Sequence, residues 1–391
     1  MKECIYCGEL KEDSTFTLEH VIPQCLGGAY APNEFKTRDV CKDCNSKLGL
    51  FVDASFEKNH FVSQQLHINA RAFFDPENPK SLPLICNGLS ELSPPGMTDD
   101  EVCELWLGPF GEAIYWIRKD DERMRCYAGG NPITAKNKDS SAYFFLNESS
   151  KKNIDLVLLS FQDAFGRKRS KRKRQRVKKV LDTRIENREG STQNSPKMSE
   201  LGRARVDYFR QQLKQGQPLH SHRAVNVYFD RRFSAKLALG FSYVLFGKKI
   251  RDSEYFQELR KGVWYKPGNS IPKVKGTSTF SGVEIAAQEY IGVKYGVTVT
   301  VCPMHDVVGV TLKVGQMSPI SVVCAETKEL SDTQISSLGN GFSLVLFDSL
   351  EKCIRLTLPE LIAHNTGEQK HSELSKIEEI ADKQSFCREI E

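Results

Sequence analysis

At 391 residues the chain is long enough for two or three domains, each able to bury a core. Hydrophobic content of 39% with 27% charged residues fits an ordinary globular protein, and no stretch approaches the length of a membrane span. The net charge of +5 is small but uneven: residues 167–179 hold ten lysines and arginines and no acid, so the remainder is mildly acidic. Met1-Lys2-Glu3-Cys4 opens without the apolar run of a signal peptide. Of the twelve cysteines, Cys25, Cys86, Cys103, Cys126, Cys302, Cys324, Cys353 and Cys387 are scattered without a disulfide framework. A reducing, cytoplasmic compartment is expected, with no membrane partner.

In chain order, Cys4-Ile5-Tyr6-Cys7-Gly8 is the first of two Cys-x-x-Cys pairs, with Gly8 letting the backbone turn sharply. Residues 15–22 are β-rich and end at Pro23, and Gly27-Gly28 with Pro32-Asn33 mark a loop. The second pair, Cys41-Lys42-Asp43-Cys44, runs into Asn45 and a short amphipathic helix carrying Leu48, Phe51, Val52 and Phe56. The order is strand, loop, helix, stapled at both ends. Four thiolates presented from two tight turns complete a closed tetrahedral zinc site.

Residues 61–73 read as a connecting helix. Short strands are expected at 104–107, 113–118, 142–146 and 156–161, with turns at Ser93-Pro94-Pro95-Gly96 and Gly129-Gly130-Asn131-Pro132. The basic block contains Arg167, Lys168, Arg169, Lys171, Arg172, Lys173 and Arg174, a pattern suited to nucleic acid, and a polar stretch extends it to about residue 200 as a flexible linker. Beyond it, Phe233, Leu237, Phe241, Val244 and Leu245 form a helical stripe ending near Gly247, and 255–259 reads as a second short helix. Strands are expected at 297–301, 307–314, 320–324 and 342–347, before a polar tail that frays or forms a solvent-facing helix. The strands are grouped rather than alternating with helices, so the fold class is α+β: a small N-terminal module over 1–58, mixed regions over 59–165 and 201–365, a linker over 166–200 and a tail over 366–391.

The residues between and beside the cysteine pairs suit phosphodiester hydrolysis. That chemistry needs a base for the attacking water and positive charge beside the phosphate. An unperturbed histidine accepts a proton near neutrality, which makes His20 the natural base. Glu19 and Asn45 offer hard oxygens suited to Mg²⁺ or Mn²⁺, and the Asn33 amide can orient its neighbours or the imidazole. On a regular strand Glu19 and His20 point to opposite faces, so a shared site requires the strand to bend or end there.

Cys4-x-x-Cys7, Glu19-His20-x-x-Pro23, Asn33 and Cys41-x-x-Cys44-Asn45 resemble the zinc-bound HNH endonuclease family, over about residues 1–55. The resemblance implies a ββα-metal fold, structural zinc on the four cysteines, and His20 activating water. It further implies Glu19 and Asn45 on one catalytic divalent metal, Asn33 in a structural role, and Glu19 where the family often has Asp. DNA is the expected substrate, cut one strand per event, which makes a homodimer reasonable for double-strand cutting. The larger remainder is expected to choose the substrate or respond to an activating ligand or partner protein, by analogy with phage-defence and restriction nucleases. The alternative is a non-catalytic zinc module that binds nucleic acid. Elsewhere, His220-Ser221-His222 and His305-Asp306 read as loop and turn, and Trp106, Trp116 and Trp264 as core or near-core.

Overall fold

Two short antiparallel ladders and a helix account for the first fifty residues. Strands Lys2–Glu3 and Leu10–Lys11 pair around the first cysteine turn. Strands Phe16–His20 and Lys36–Cys41 pair ahead of helix Lys42–Leu48, which completes a ββα arrangement. A wide π-helical turn over Gly49–Asp53 and a short helix, Ala54–Glu57, continue it. The computed structural model describes residues 1–75, 77, 81–130, 140–165, 179–182, 199–216, 219–277 and 290–383. The basic block from Arg167 to Arg174 lies outside them. The chain divides into two compact units that do not follow chain order. Met1–Glu57 joins Ile68–Phe73 and Asn226–Ser385, while Lys58–His67 joins Phe74–Val225.

The first unit is built on helix Val227–Phe246, whose apolar run is buried nearly throughout. The Asn226 side chain caps its start by accepting from the Tyr228 amide, and Gly247 ends it. It packs on helix Glu254–Val263 and on strand Ile320–Glu326. That strand belongs to a six-stranded antiparallel sheet in the order Gly276–Thr277, Ile320–Glu326, Val307–Val314, Val297–Pro303, Phe342–Phe347, Lys352–Thr357. The ββα segment packs on the same helix. Phe56 stacks on Phe233 at 3.7 Å between ring centroids, and Phe35 lies 5.6 Å from Phe241. A Cβ on Gly240 would come within 2.8 Å of Val21 Cγ1, so the glycine sets how closely strand end and helix approach. Helix Ser372–Lys383 buries Leu374, Ile377 and Ala381, so these tail residues are packed rather than solvent-facing all round.

The second unit is a six-stranded sheet in the order Ser221–His222, Ile85–Ser90, Glu101–Leu107, Ala113–Lys119, Ser141–Phe145, Lys179–Asp182, antiparallel except for the last pair. Alternate residues feed two cores. Trp106, Ile114, Trp116 and Phe144 meet Val157 and Phe161 on one face, and Leu105, Tyr115 and Tyr143 meet Val206 and Phe209 on the other. Residues 156–161, expected as a strand, lie in helix Ile154–Phe165. The reason is period: Val157 and Phe161 are four apart and share the face that meets the sheet, which a short apolar run conceals. The expected α+β class holds in both units. Among the described residues no helix is long and apolar enough to cross a membrane.

Candidate active site

Two tight turns bring four sulfurs together. Cys4, Cys7, Cys41 and Cys44 have Sγ atoms within 4.8 Å of one another, the one such group among the described residues, and could hold zinc. Gly8, at φ +73°, closes the first turn, its N–H donating to the Cys4 carbonyl at 2.8 Å. The Cys41 amide donates to Cys4 Sγ at 3.4 Å, and the Lys11 ammonium sits 3.6 Å from Cys41 Sγ. A hydrogen bond from the Cys44 thiol holds Cys4 down to about 4, while the same bond pushes Cys44 up. Zinc ligation would take all four sulfurs as thiolates. Cys25 is not part of it, and burial pushes its thiol up.

The ladder carrying the acid and the histidine shifts register just ahead of them. Thr17 pairs with Val40 and Glu19 with Thr37, so the register shifts between them, and the strand ends at His20. Glu19 is buried and His20 is half-buried. His20 Nδ1 lies 3.3 Å from the Gln24 amide nitrogen, and no described residue partners Nε2. Burial, then Lys36 and Lys236, hold its pKa below the ordinary histidine value. Asn45, on the first turn of helix Lys42–Leu48, donates from Nδ2 to Thr17 Oγ1 at 3.0 Å and to the Leu18 carbonyl at 2.9 Å. Its Oδ1 is left without a donor among the described residues. Asn33 is exposed and accepts from Lys36 Nζ at 3.3 Å; the partner beside the imidazole is Gln24 rather than Asn33.

Residues 4–61 match the family model described as HNH endonuclease. The N-terminal module is of the HNH type. No curated protein and no solved structure matches the chain. The match supports a nuclease-type function for the HNH module and a nucleic-acid substrate.

Three residues that sequence reasoning passed over surround Glu19. The Lys236 ammonium, on helix Val227–Phe246, lies 3.0 Å from Glu19 Oε1 and 2.6 Å from Asp53 Oδ2, and the Tyr6 hydroxyl donates to the same Glu19 oxygen at 3.1 Å. Lys236 is only 2% exposed. Burial raises the Glu19 carboxyl and the nearby ammonium opposes that rise. A signal for Lys236 was present: a lone lysine within the apolar stripe from Phe233 to Leu245 must find partners if the helix is buried. Asp53 gave none, because an acid near a helix end is ordinary.

The HNH module is also tied to its unit at the zinc turns. Arg260 Nε donates to the Ile5 carbonyl at 3.0 Å and Trp264 Nε1 to the Tyr6 carbonyl at 2.9 Å. The Tyr243 hydroxyl donates to Asp39. Trp264 therefore has a structural partner, and Trp106 and Trp116 are core. His222 is exposed on an edge strand beside Glu91, and His305 pairs with Asp306 in an exposed bend.

Proposed function

We propose that the chain is a metal-dependent HNH endonuclease that hydrolyses phosphodiester bonds in DNA. The observation that carries this reading is that both hard-oxygen side chains are anchored through one atom and leave the other without a donor among the described residues. Asn45 is tied by Nδ2 and keeps Oδ1; Glu19 is engaged at Oε1 and keeps Oε2. An acid and an amide oxygen fit Mg²⁺ or Mn²⁺, and these two atoms would hold the ion. When bound, the ion supplies positive charge beside the scissile phosphate and the leaving oxygen. His20 takes the proton of the attacking water at Nε2, held neutral by partial burial and the adjacent lysines. The tautomer with its proton on Nδ1 needs the Gln24 amide to present its oxygen, a turn of the amide in place.

Zinc on Cys4, Cys7, Cys41 and Cys44 is structural in this reading, apart from the chemistry. Asn33 supports the loop after the histidine. Arg167, Lys168, Arg169, Lys171, Arg172, Lys173 and Arg174 add salt-sensitive affinity for phosphate. The remainder of the chain selects substrate or answers a ligand or partner protein, as in a phage-defence or restriction effector, and two protomers give double-strand cuts. The test is incubation of the full zinc-loaded chain with supercoiled plasmid, with Mg²⁺, Mn²⁺ or EDTA. Nicking that requires the divalent ion is expected. Binding without product under every metal condition favours the non-catalytic zinc module.

A further inference from the structure

We propose that Lys236, braced by Asp53 and assisted by Tyr6, is a positioning residue that fixes Glu19 as a metal ligand, supplied to the HNH module by a helix outside it. The inference rests on the reading of Glu19 as a ligand and adds what holds it.

Two side chains converge on one carboxylate oxygen. Glu19 Oε1 takes the Tyr6 hydroxyl at 3.1 Å and lies 3.0 Å from Lys236 Nζ. No described residue donates to Oε2, and that atom is not closed off from solvent without a partner. The carboxylate is therefore held on its inner oxygen and free on its outer one. Asp53 has both oxygens on the ammonium, at 2.8 and 2.6 Å, so it anchors the lysine. Its place at the end of the wide turn over Gly49–Asp53 brings it there.

A buried ammonium is costly to desolvate and is retained where it has a task or excellent partners. Two carboxylates face this one ammonium, so the cluster keeps a negative charge that a divalent ion on the outer oxygen offsets. Lysine suits the inner position because its compact charge meets both acids from one point. Lys236 touches neither substrate nor the reacting atoms and acts through Glu19. It lies beyond residues 4–61, which match the family model, so the metal site is completed by another part of the chain.

The test is Mn²⁺ titration of the zinc-loaded full chain, followed by electron paramagnetic resonance of the free ion, with zinc content and Tm recorded for every variant. Lys236→Met with Asp53→Asn removes one base and one acid together, so the net charge of the cluster is unchanged. A purely Coulombic contribution leaves Mn²⁺ affinity as in the wild type; loss of positioning weakens it by about 10–100-fold. Lys236→Gln with Asp53→Asn restores a donor toward Oε1 and is expected to recover most of that loss. Unchanged affinity in the folded Met variant overturns the proposal. Should that variant fail to fold, Tyr6→Phe removes the other donor to Oε1 with the ion pairs intact. Several-fold weaker binding then supports the clamp and unchanged binding overturns it. Glu19→Gln separates the two readings: wild-type Mn²⁺ binding in that variant shows that Glu19 is no ligand, a failure of the metal assignment itself.

Discussion

Glu19 and His20 are chain neighbours in different surroundings, which suits the different tasks proposed for them. As consecutive residues at the end of their strand they face apart, one side chain buried against Lys236 and the other half-open beside Gln24. Asn45 crosses from helix to strand with two hydrogen bonds, so Asn45→Ala is expected to cost about 1–2 kcal/mol in urea unfolding, besides weakening cleavage. The four sulfurs make a comparable prediction. Cys44→Ser is expected to drop zinc, measured by elemental analysis, well below about one ion per chain and to lower Tm, because closed structural sites contribute folding energy directly.

At the scale of elements, helix Val227–Phe246 is the support on which the HNH module rests. Phe56 and Phe233 are both buried and stacked, so Phe233→Ala is expected to destabilise the first unit by about 3–5 kcal/mol, read from its urea transition. This helix was legible in the sequence because its apolar residues recur at helical spacing, and the strands at 307–314 and 342–347 were legible from their β-branched and aromatic runs. Helix Ile154–Phe165 was not, since an apolar run fits a buried strand as well as a helix. The cysteine pairs and the Glu19-His20 dipeptide marked the candidate site because they are local. Lys236 and Asp53 became a cluster only through an ion pair between residues far apart in the chain, which no local pattern encodes.

At the scale of the molecule, the HNH module is part of a larger unit. Tyr6, Val21, Phe35 and Phe56 are all buried, and Val21, Phe35 and Phe56 lie against the long helix. An isolated fragment of residues 1–61 loaded with zinc is therefore expected to lack protected amides outside the zinc turns in hydrogen exchange, whereas the full chain protects them. In the proposed reading the ten basic residues of 167–179 serve affinity rather than chemistry. Replacing Arg167, Lys168, Arg169, Lys171, Arg172, Lys173 and Arg174 with glutamine is expected to weaken DNA binding and to flatten its salt dependence. The slope should fall by about 0.9 for each phosphate no longer neutralised, with metal-dependent cleavage retained at saturating enzyme. The most direct test of the nuclease reading is the cleavage rate of His20→Ala against wild type on supercoiled plasmid with Mn²⁺, both proteins carrying equal zinc. Loss of the base is expected to slow cleavage by about 10²–10⁴-fold at unchanged Tm. Equal rates from the two folded proteins would contradict the assignment of the chemistry to His20.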